Sequence, residues 1–203
     1  MAYPSSAGLV TGLGNPGRRY SRTRHNIGFA ALSRLMESPE SGALRPLAVE
    51  KKWACELYQW DLDDQDQSWL LCRPLTYMNL SGEALHRVFS KYRLKPEQLL
   101  VVHDELDLPL GSLRLKFGGG LAGHRGLRSI VQELGSRDFY RLRLGIGRPE
   151  PGVEVIDHVL SPFVKTEMPI LSEVLSLAAQ TILVFRRQGF QQAFEFLRRA
   201  PGI

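Results

Sequence analysis

The amino-acid sequence predicts an α/β fold: a single domain over residues 1–203, with a mixed, largely parallel central sheet flanked by helices. Three observations carry that expectation. Short apolar runs at residues 9–13 and 99–103 have the character of strands buried on both faces. They alternate with segments whose apolar residues recur at helical spacing, the order expected when helices cross between strands. With 203 residues, 43% hydrophobic and 23% charged, the chain has the composition of one compact core rather than of a disordered or fibrous protein.

Along the chain, residues 9–13 form the first strand and run into a glycine-rich turn. Ile27, Phe29, Ala30, Leu32, Leu35 and Met36 give residues 26–36 a helical stripe, which Ser38-Pro39 ends. Residues 53–62 and 69–73 read as strands on either side of a polar turn at 63–68. Beyond Pro74, Ala84, Leu85, Val88 and Phe89 form the apolar face of a helix over 81–92. Residues 99–103 are the clearest buried strand, and the acidic stretch from Asp104 to Pro109 follows it as turns. Leu113, Leu115 and Phe117 alternate as a strand, and Gly118-Gly119-Gly120 requires a loop with access to positive φ. Residues 126–134 read as a helix. Residues 140–147 set Leu142, Leu144 and Ile146 against Arg141 and Arg143, a strand with one buried and one basic face. The tail over 166–199 reads as two helices broken near Gly189. The chain has no internal repeat and no low-complexity linker.

The N-terminal residues lack a basic region followed by an apolar run, and no stretch approaches the roughly 18 consecutive apolar residues of a membrane span. The expectation is a soluble, cytoplasmic protein with no membrane partner. Cys55 and Cys72 sit in apolar segments without further ligand-spaced residues, which predicts buried free thiols, no disulfide and no metal site. The net charge of +5 is concentrated. Residues 112–148 hold eight bases (Arg114, Lys116, Arg125, Arg128, Arg137, Arg141, Arg143, Arg148) against Glu133 and Asp138. Taking these eight and two from the chain's 26 bases and 21 acids leaves 18 and 19, so the rest is close to neutral. A confined positive excess is the footprint expected for a polyanion.

Gly12, Gly14 and Gly17 satisfy the G-x-G-x-x-G dinucleotide pattern after a strand, and Glu37 stands twenty residues beyond Gly17. The context argues against it. The third glycine should open a helix at once, whereas Tyr20 is the one large apolar residue among residues 18–24, and Glu37 lies at a helix end instead of a strand end. A hydrolase centre accounts for the segment better. His25 stands at a helix start, where the positive helix end disfavours an added positive charge and suits a base. Asn15 and Asn26 are near it in sequence, Asn79 lies in another loop, and Asp104 follows a strand whose carboxyl end is the usual place for functional groups. A histidine, an orienting carboxylate and amide donors suffice for water-mediated ester hydrolysis. A metal site built from His103, Asp104, Glu105 and Asp107 is disfavoured because neighbouring strand residues point to opposite faces.

Beyond these residues, six blocks stand in order: Gly12-Leu13-Gly14-Asn15-Pro16-Gly17, Thr23-Arg24-His25-Asn26-Ile27-Gly28-Phe29, Pro74-Leu75-Thr76-Tyr77-Met78-Asn79-Leu80-Ser81-Gly82, His103-Asp104-Glu105-Leu106-Asp107, Gly123-His124-Arg125-Gly126-Leu127 and Arg141-Leu142-Arg143-Leu144-Gly145-Ile146-Gly147-Arg148-Pro149. Together they resemble the bacterial-type peptidyl-tRNA hydrolase family over about residues 9–165. The resemblance implies cleavage of the ester joining peptide to tRNA, freeing both after premature release from ribosomes. It implies His25 as base, Asp104 as its orienting acid, and Asn15 and Asn79 as groups that position substrate and stabilise the oxyanion. Tyr20, Tyr77 and Met78 are implied around the substrate's end, and Arg114, Lys116 and Arg143 against tRNA phosphates. The partner is peptidyl-tRNA, no metal or organic cofactor is implied, and the chain is expected to act as a monomer.

One position departs from the family pattern. Many members carry asparagine where this chain has Arg125, and arginine brings more donors and a fixed charge but no carbonyl acceptor. The reading for Arg125 is contact with a tRNA phosphate or a peptide carbonyl. The family resembles RNA-binding splicing factors as well as hydrolases, and the presence of Asn15, His25, Asn79 and Asp104 together favours the enzyme. Gly152 and Pro162 flank residues 153–161, which raises the expectation that the tail opens and closes over the cleft.

Overall fold

In the computed structural model, residues 7–47, 53–61 and 68–200 are described. The chain runs β1 (Leu9–Gly12), α1 (Ile27–Glu37), β2 (Ala43–Leu47), β3 (Cys55–Asp61), β4 (Trp69–Pro74), α2 (Ser81–Tyr92), β5 (Leu99–Glu105), β6 (Leu113–Phe117), α3 (Arg125–Leu134), β7 (Tyr140–Gly145), α4 (Val155–Leu160) and α5 (Met168–Arg199). One seven-stranded sheet has the order β2-β3-β4-β1-β5-β7-β6. Its centre is parallel, with β1 between β4 and β5, and β7 beside β5. Antiparallel pairs close both sides: β2 on β3, β3 on β4, and β6 on β7.

Strand alternation sorts two cores. Val10, Leu100, Val102, Leu142 and Leu144 face α1 and α5, packing with Leu32, Leu35, Val174, Ala178 and Ile182. Leu9, Leu70, Cys72, Leu99 and Val101 face the other side, against Leu85, Val88, Leu127 and Ile130. Parallel strands covered on both faces therefore read as continuous apolar runs in the sequence. Cys55 and Cys72 are buried free thiols of this second core. The helical run Lys165–Arg199 is long and apolar enough, by length and composition, to cross a membrane. Here its apolar stripe covers the sheet, and it turns sharply at Gly189 (φ 81°, ψ −176°), where the sequence predicts the break.

Several expectations need correction. β5 continues through Asp104 and Glu105 instead of turning after His103, because both residues keep their pairing to Leu144 and Gly145 of β7. β2, which the sequence reading lacks, is an edge strand paired to β3 alone, the place where Pro46 is tolerated. α4 was likewise not legible, having six residues with Val159 as its buried contact. The strand expected over 53–62 is β3, and Leu62 and the turn at 63–67 lie outside the described residues. The basic face of β7 is not open: Arg141 is 1% exposed. Its guanidinium donates to the carbonyls of Gly120 (2.6 Å) and Gly119 (3.1 Å) and lies over the Phe139 ring.

Candidate active site

The glycines of the opening segment serve close packing. A Cβ on Gly12 would lie 2.4 Å from the Gly28 carbonyl oxygen, and one on Gly28 would lie 2.4 Å from that of Val102. Two glycines facing one another thus let the first turn of α1 settle onto the carboxyl ends of β1 and β5. Gly17, at φ 102°, makes the turn that follows. Two 3₁₀ turns, Arg18–Tyr20 and Arg24–Asn26, then delay the start of α1. The second delivers His25 to the end of β5.

There, Asp104 is 4% exposed and its carboxylate is shared by two imidazoles. His25 Nδ1 donates to Oδ2 at 2.8 Å, and His124 Nε2 donates to Oδ1 at 3.0 Å. The tautomers follow from the partners. His124 Nδ1 accepts from the backbone N–H groups of Gly126 (3.1 Å) and Leu127 (3.3 Å), capping α3, so its proton is on Nε2. With Nδ1–H of His25 given to Asp104, its Nε2 is left as an acceptor. Burial opposes ionisation of Asp104, but the adjoining His25 and His124 outweigh it and hold the carboxyl well below the usual carboxylate range. His103, on the opposite face of β5, is pushed down to about 3 by burial and by His124 nearby. Its Nδ1 donates to the Asp104 carbonyl at 2.7 Å, and its Nε2 is buried without a partner among the described residues.

His25, Asp104 and His124 offer ligand atoms within 4.8 Å of one another, the one group among the described residues with the composition to hold a metal ion. In this arrangement both imidazole nitrogens facing the carboxylate act as hydrogen-bond donors. His124 is the residue of this cluster to which the sequence reading gave no role. The sequence offers a signal for the cap alone: α3 follows a glycine loop with no Ser, Thr, Asp or Asn to cap it, which leaves the histidine for that task but says nothing of its bond to Asp104.

A second network fixes the amides. Asn26 accepts from the backbone N–H of Asn15 (2.8 Å) and donates to its carbonyl (2.9 Å), a reciprocal clamp between the glycine turn and the turn bearing His25. Asn15 Oδ1 in turn accepts from the Met78 N–H at 2.8 Å, so the loop before α2 is docked onto the same structure and the Asn15 Nδ2 group is left for other partners. Tyr20 and Tyr77 meet edge to face, with ring centroids 6.4 Å apart. Asn79 is exposed on that loop. Met78 is 4% exposed and packs in the core under α2, so its side chain supports the loop.

A cleft of about 730 Å³ opens beside the histidines, lined by His25, Asp104 and His124, by Arg125 and Arg148, and by the apolar Leu106, Val155 and Ile156. Arg125 is exposed at its rim, as the first residue of α3. The basic footprint is smaller than the sequence count. Arg143 is ion-paired to the buried Glu105 (2.9 Å) and Arg148 to Asp107, while Arg141 holds the glycine loop. Arg114 is exposed and Lys116 half-buried on the same face of β6 as each other. Burial, with Arg143 and Arg141 close by, lowers the Lys116 ammonium from its ordinary value.

The family described as peptidyl-tRNA hydrolase matches residues 9–201. A peptidyl-tRNA hydrolase of Nitratidesulfovibrio vulgaris (strain DSM 19637 / Miyazaki F) is 47% identical over 193 residues, covering 94% of this chain and 95% of that protein. One from Aquifex aeolicus is 39% identical over 191 residues, covering 94% and 96%. The crystal structure of peptidyl-tRNA hydrolase from Acinetobacter baumannii superposes with a TM-score of 0.85 at 32% identity, over 98% of each chain. On the match over nearly its whole length and on these relatives, the chain belongs to the peptidyl-tRNA hydrolase family.

Proposed function

We infer that the protein hydrolyses peptidyl-tRNA, cleaving the ester between the peptide's carboxyl end and the terminal ribose of tRNA. The observation that carries this reading is His25, fixed by Asp104 through Nδ1 and opening onto the cleft. Its Nε2 takes a proton from water as the water oxygen attacks the ester carbonyl. The same proton then passes to the ribose oxygen as the carbon–oxygen bond breaks. Asp104 keeps the ring in the required tautomer and stabilises the imidazolium formed in between, and His124 braces the carboxylate from its other oxygen. Asn15 Nδ2, with Asn79 from the docked loop, is assigned to the carbonyl oxygen on which charge develops.

Tyr20, Tyr77 and the loop held by Met78 receive the end of the tRNA. Arg114, Lys116 and Arg143 face its phosphates, a sequence-independent contact suited to an enzyme that acts on many tRNAs. Arg125, exposed at the cleft rim, is assigned to a phosphate or a peptide carbonyl. A positioned base with amide donors needs no metal or organic cofactor, and the reading takes a monomer acting in the cytoplasm. The test is release of N-acetyl-amino acid from N-acetyl-aminoacyl-tRNA by the purified protein. His25→Ala should slow turnover by roughly 100-fold or more. Binding of the tRNA with no release by the parent protein overturns the enzymatic reading and leaves an RNA-binding member of the fold.

A further inference from the structure

The turn bearing His25 is also fastened from behind, to the segment that follows α4. The Arg24 N–H donates to the Ser161 carbonyl at 3.0 Å, and Thr23 bridges to Pro162. Arg24 Nη2 lies between the two Glu167 oxygens at 2.8 and 3.0 Å, its Nε reaches the Ser161 hydroxyl at 3.3 Å, and its guanidinium covers the Phe163 ring. The pair is sheltered, the side chains being 9% and 24% exposed. Glu167 also accepts from the Val164 N–H at 2.8 Å. Burial opposes its charge, yet the hydrogen bonds from Arg24 and Val164 keep the carboxyl below its ordinary value.

The segment held in this way carries one wall of the cleft. Val155 and Ile156 line it while remaining 50% and 47% exposed, apolar area that nothing among the described residues covers. The C-terminal part of α4 is pinned: Val159 is buried and His158 Nε2 meets the carbonyls of Ile146 (3.3 Å) and Gly147 (3.0 Å). His25 is therefore tied to Asp104 on one side and, through Arg24, to the apolar wall on the other.

We propose that Arg24 and Glu167 are positioning residues whose ion pair sets the gap between His25 and the α4 wall, and with it the preference for a bulky apolar side chain on the ester-linked amino acid. The proposal rests on the hydrolase reading above. Breaking the ion pair leaves His25 held by Asp104, so chemistry continues, while the first turn of α4 with Val155 and Ile156, which His158 and Val159 do not pin, can tilt away from the substrate side chain. The readout is the ratio of kcat/KM for N-acetyl-phenylalanyl-tRNA to that for N-acetyl-glycyl-tRNA. The parent favours the phenylalanyl ester, and Glu167→Ala or Arg24→Met lowers the ratio by roughly threefold or more, within the range one apolar contact supplies. Glu167→Gln, which keeps an acceptor, falls between, and the double variant loses no more than the worse single one. Equal loss on both esters means fewer folded molecules and overturns the proposal, as does an unchanged ratio or a parent without preference. A parent that cleaves neither ester refutes the hydrolase reading instead.

Discussion

His103 gives this protein a pH dependence of stability that can be worked out in advance. Its pKa falls from 6.5 to about 3 on folding, through burial and the neighbouring His124. Between those values the unfolded chain binds a proton at this residue and the folded one does not. Stability therefore declines as pH falls, by about 1.4 kcal/mol per unit below pH 6.5, and the penalty levels off near pH 3. From pH 7 to pH 5 the loss is about 2 kcal/mol. The variant to compare is His103→Asn, whose Nδ2 can take the place of Nδ1 as donor to the Asp104 carbonyl. It lacks the ring against His124, so it is the less stable protein at pH 7, but it has no proton to gain. Urea unfolding of both proteins at pH 7, 6 and 5 isolates the effect, since the remaining titrating groups cancel in the difference. The gap should narrow by about 2 kcal/mol over that range. Parallel pH curves for parent and variant would show that His103 is not held neutral by its surroundings.

Three further outcomes follow from the site and its support. Asp104→Asn keeps the volume but removes the charge that receives both imidazole donors, so kcat should fall by about 10²–10⁴ with KM nearly constant; a loss of only a few-fold in steady-state assays contradicts the assigned role. Gly28→Ala places a Cβ 2.4 Å from the Val102 carbonyl oxygen, which should cost about 1–3 kcal/mol in denaturant unfolding and reduce kcat by shifting the turn of His25. A variant as stable and active as the parent would mean the helix can back away freely. Substrate affinity should weaken steeply with salt, and Lys116→Ala should flatten the slope of log affinity against log salt by about 0.9, the share of one duplex phosphate contact; an unchanged slope in a KM titration removes Lys116 from the tRNA surface.

The sequence carried the parallel strands and principal helices because each satisfies one simple periodicity. It did not carry β2, where Arg45 and Pro46 interrupt the pattern and edge pairing alone makes the strand, nor α4, too short for a helical period to register. Of the site, His25 and Asp104 were legible from their places at a helix start and a strand end. His124 was not, because its part depends on a cap and on a carboxylate twenty residues away in the chain. Strand alternation put Arg141 and Arg143 on one face correctly, but it carries no information about what covers that face. The glycine loop covers Arg141 and makes it an internal support, while Glu105 pairs with Arg143 and leaves its side chain part-exposed.

The sequence separations within the site bear on how the protein becomes active during folding. His25 meets Asp104 across 79 residues, Asn15 meets Met78 across 63, and Arg24 meets Glu167 across 143. Closing loops of these lengths must precede any local reward, and parallel strand pairing is slow for the same reason. Partly folded chains with native helices thus lack an assembled centre. In a refolding experiment, ester cleavage should return with the last phase of tertiary structure, after the helical signal has recovered, so that a nascent chain acquires no hydrolytic capacity until residues as late as His124 are in place.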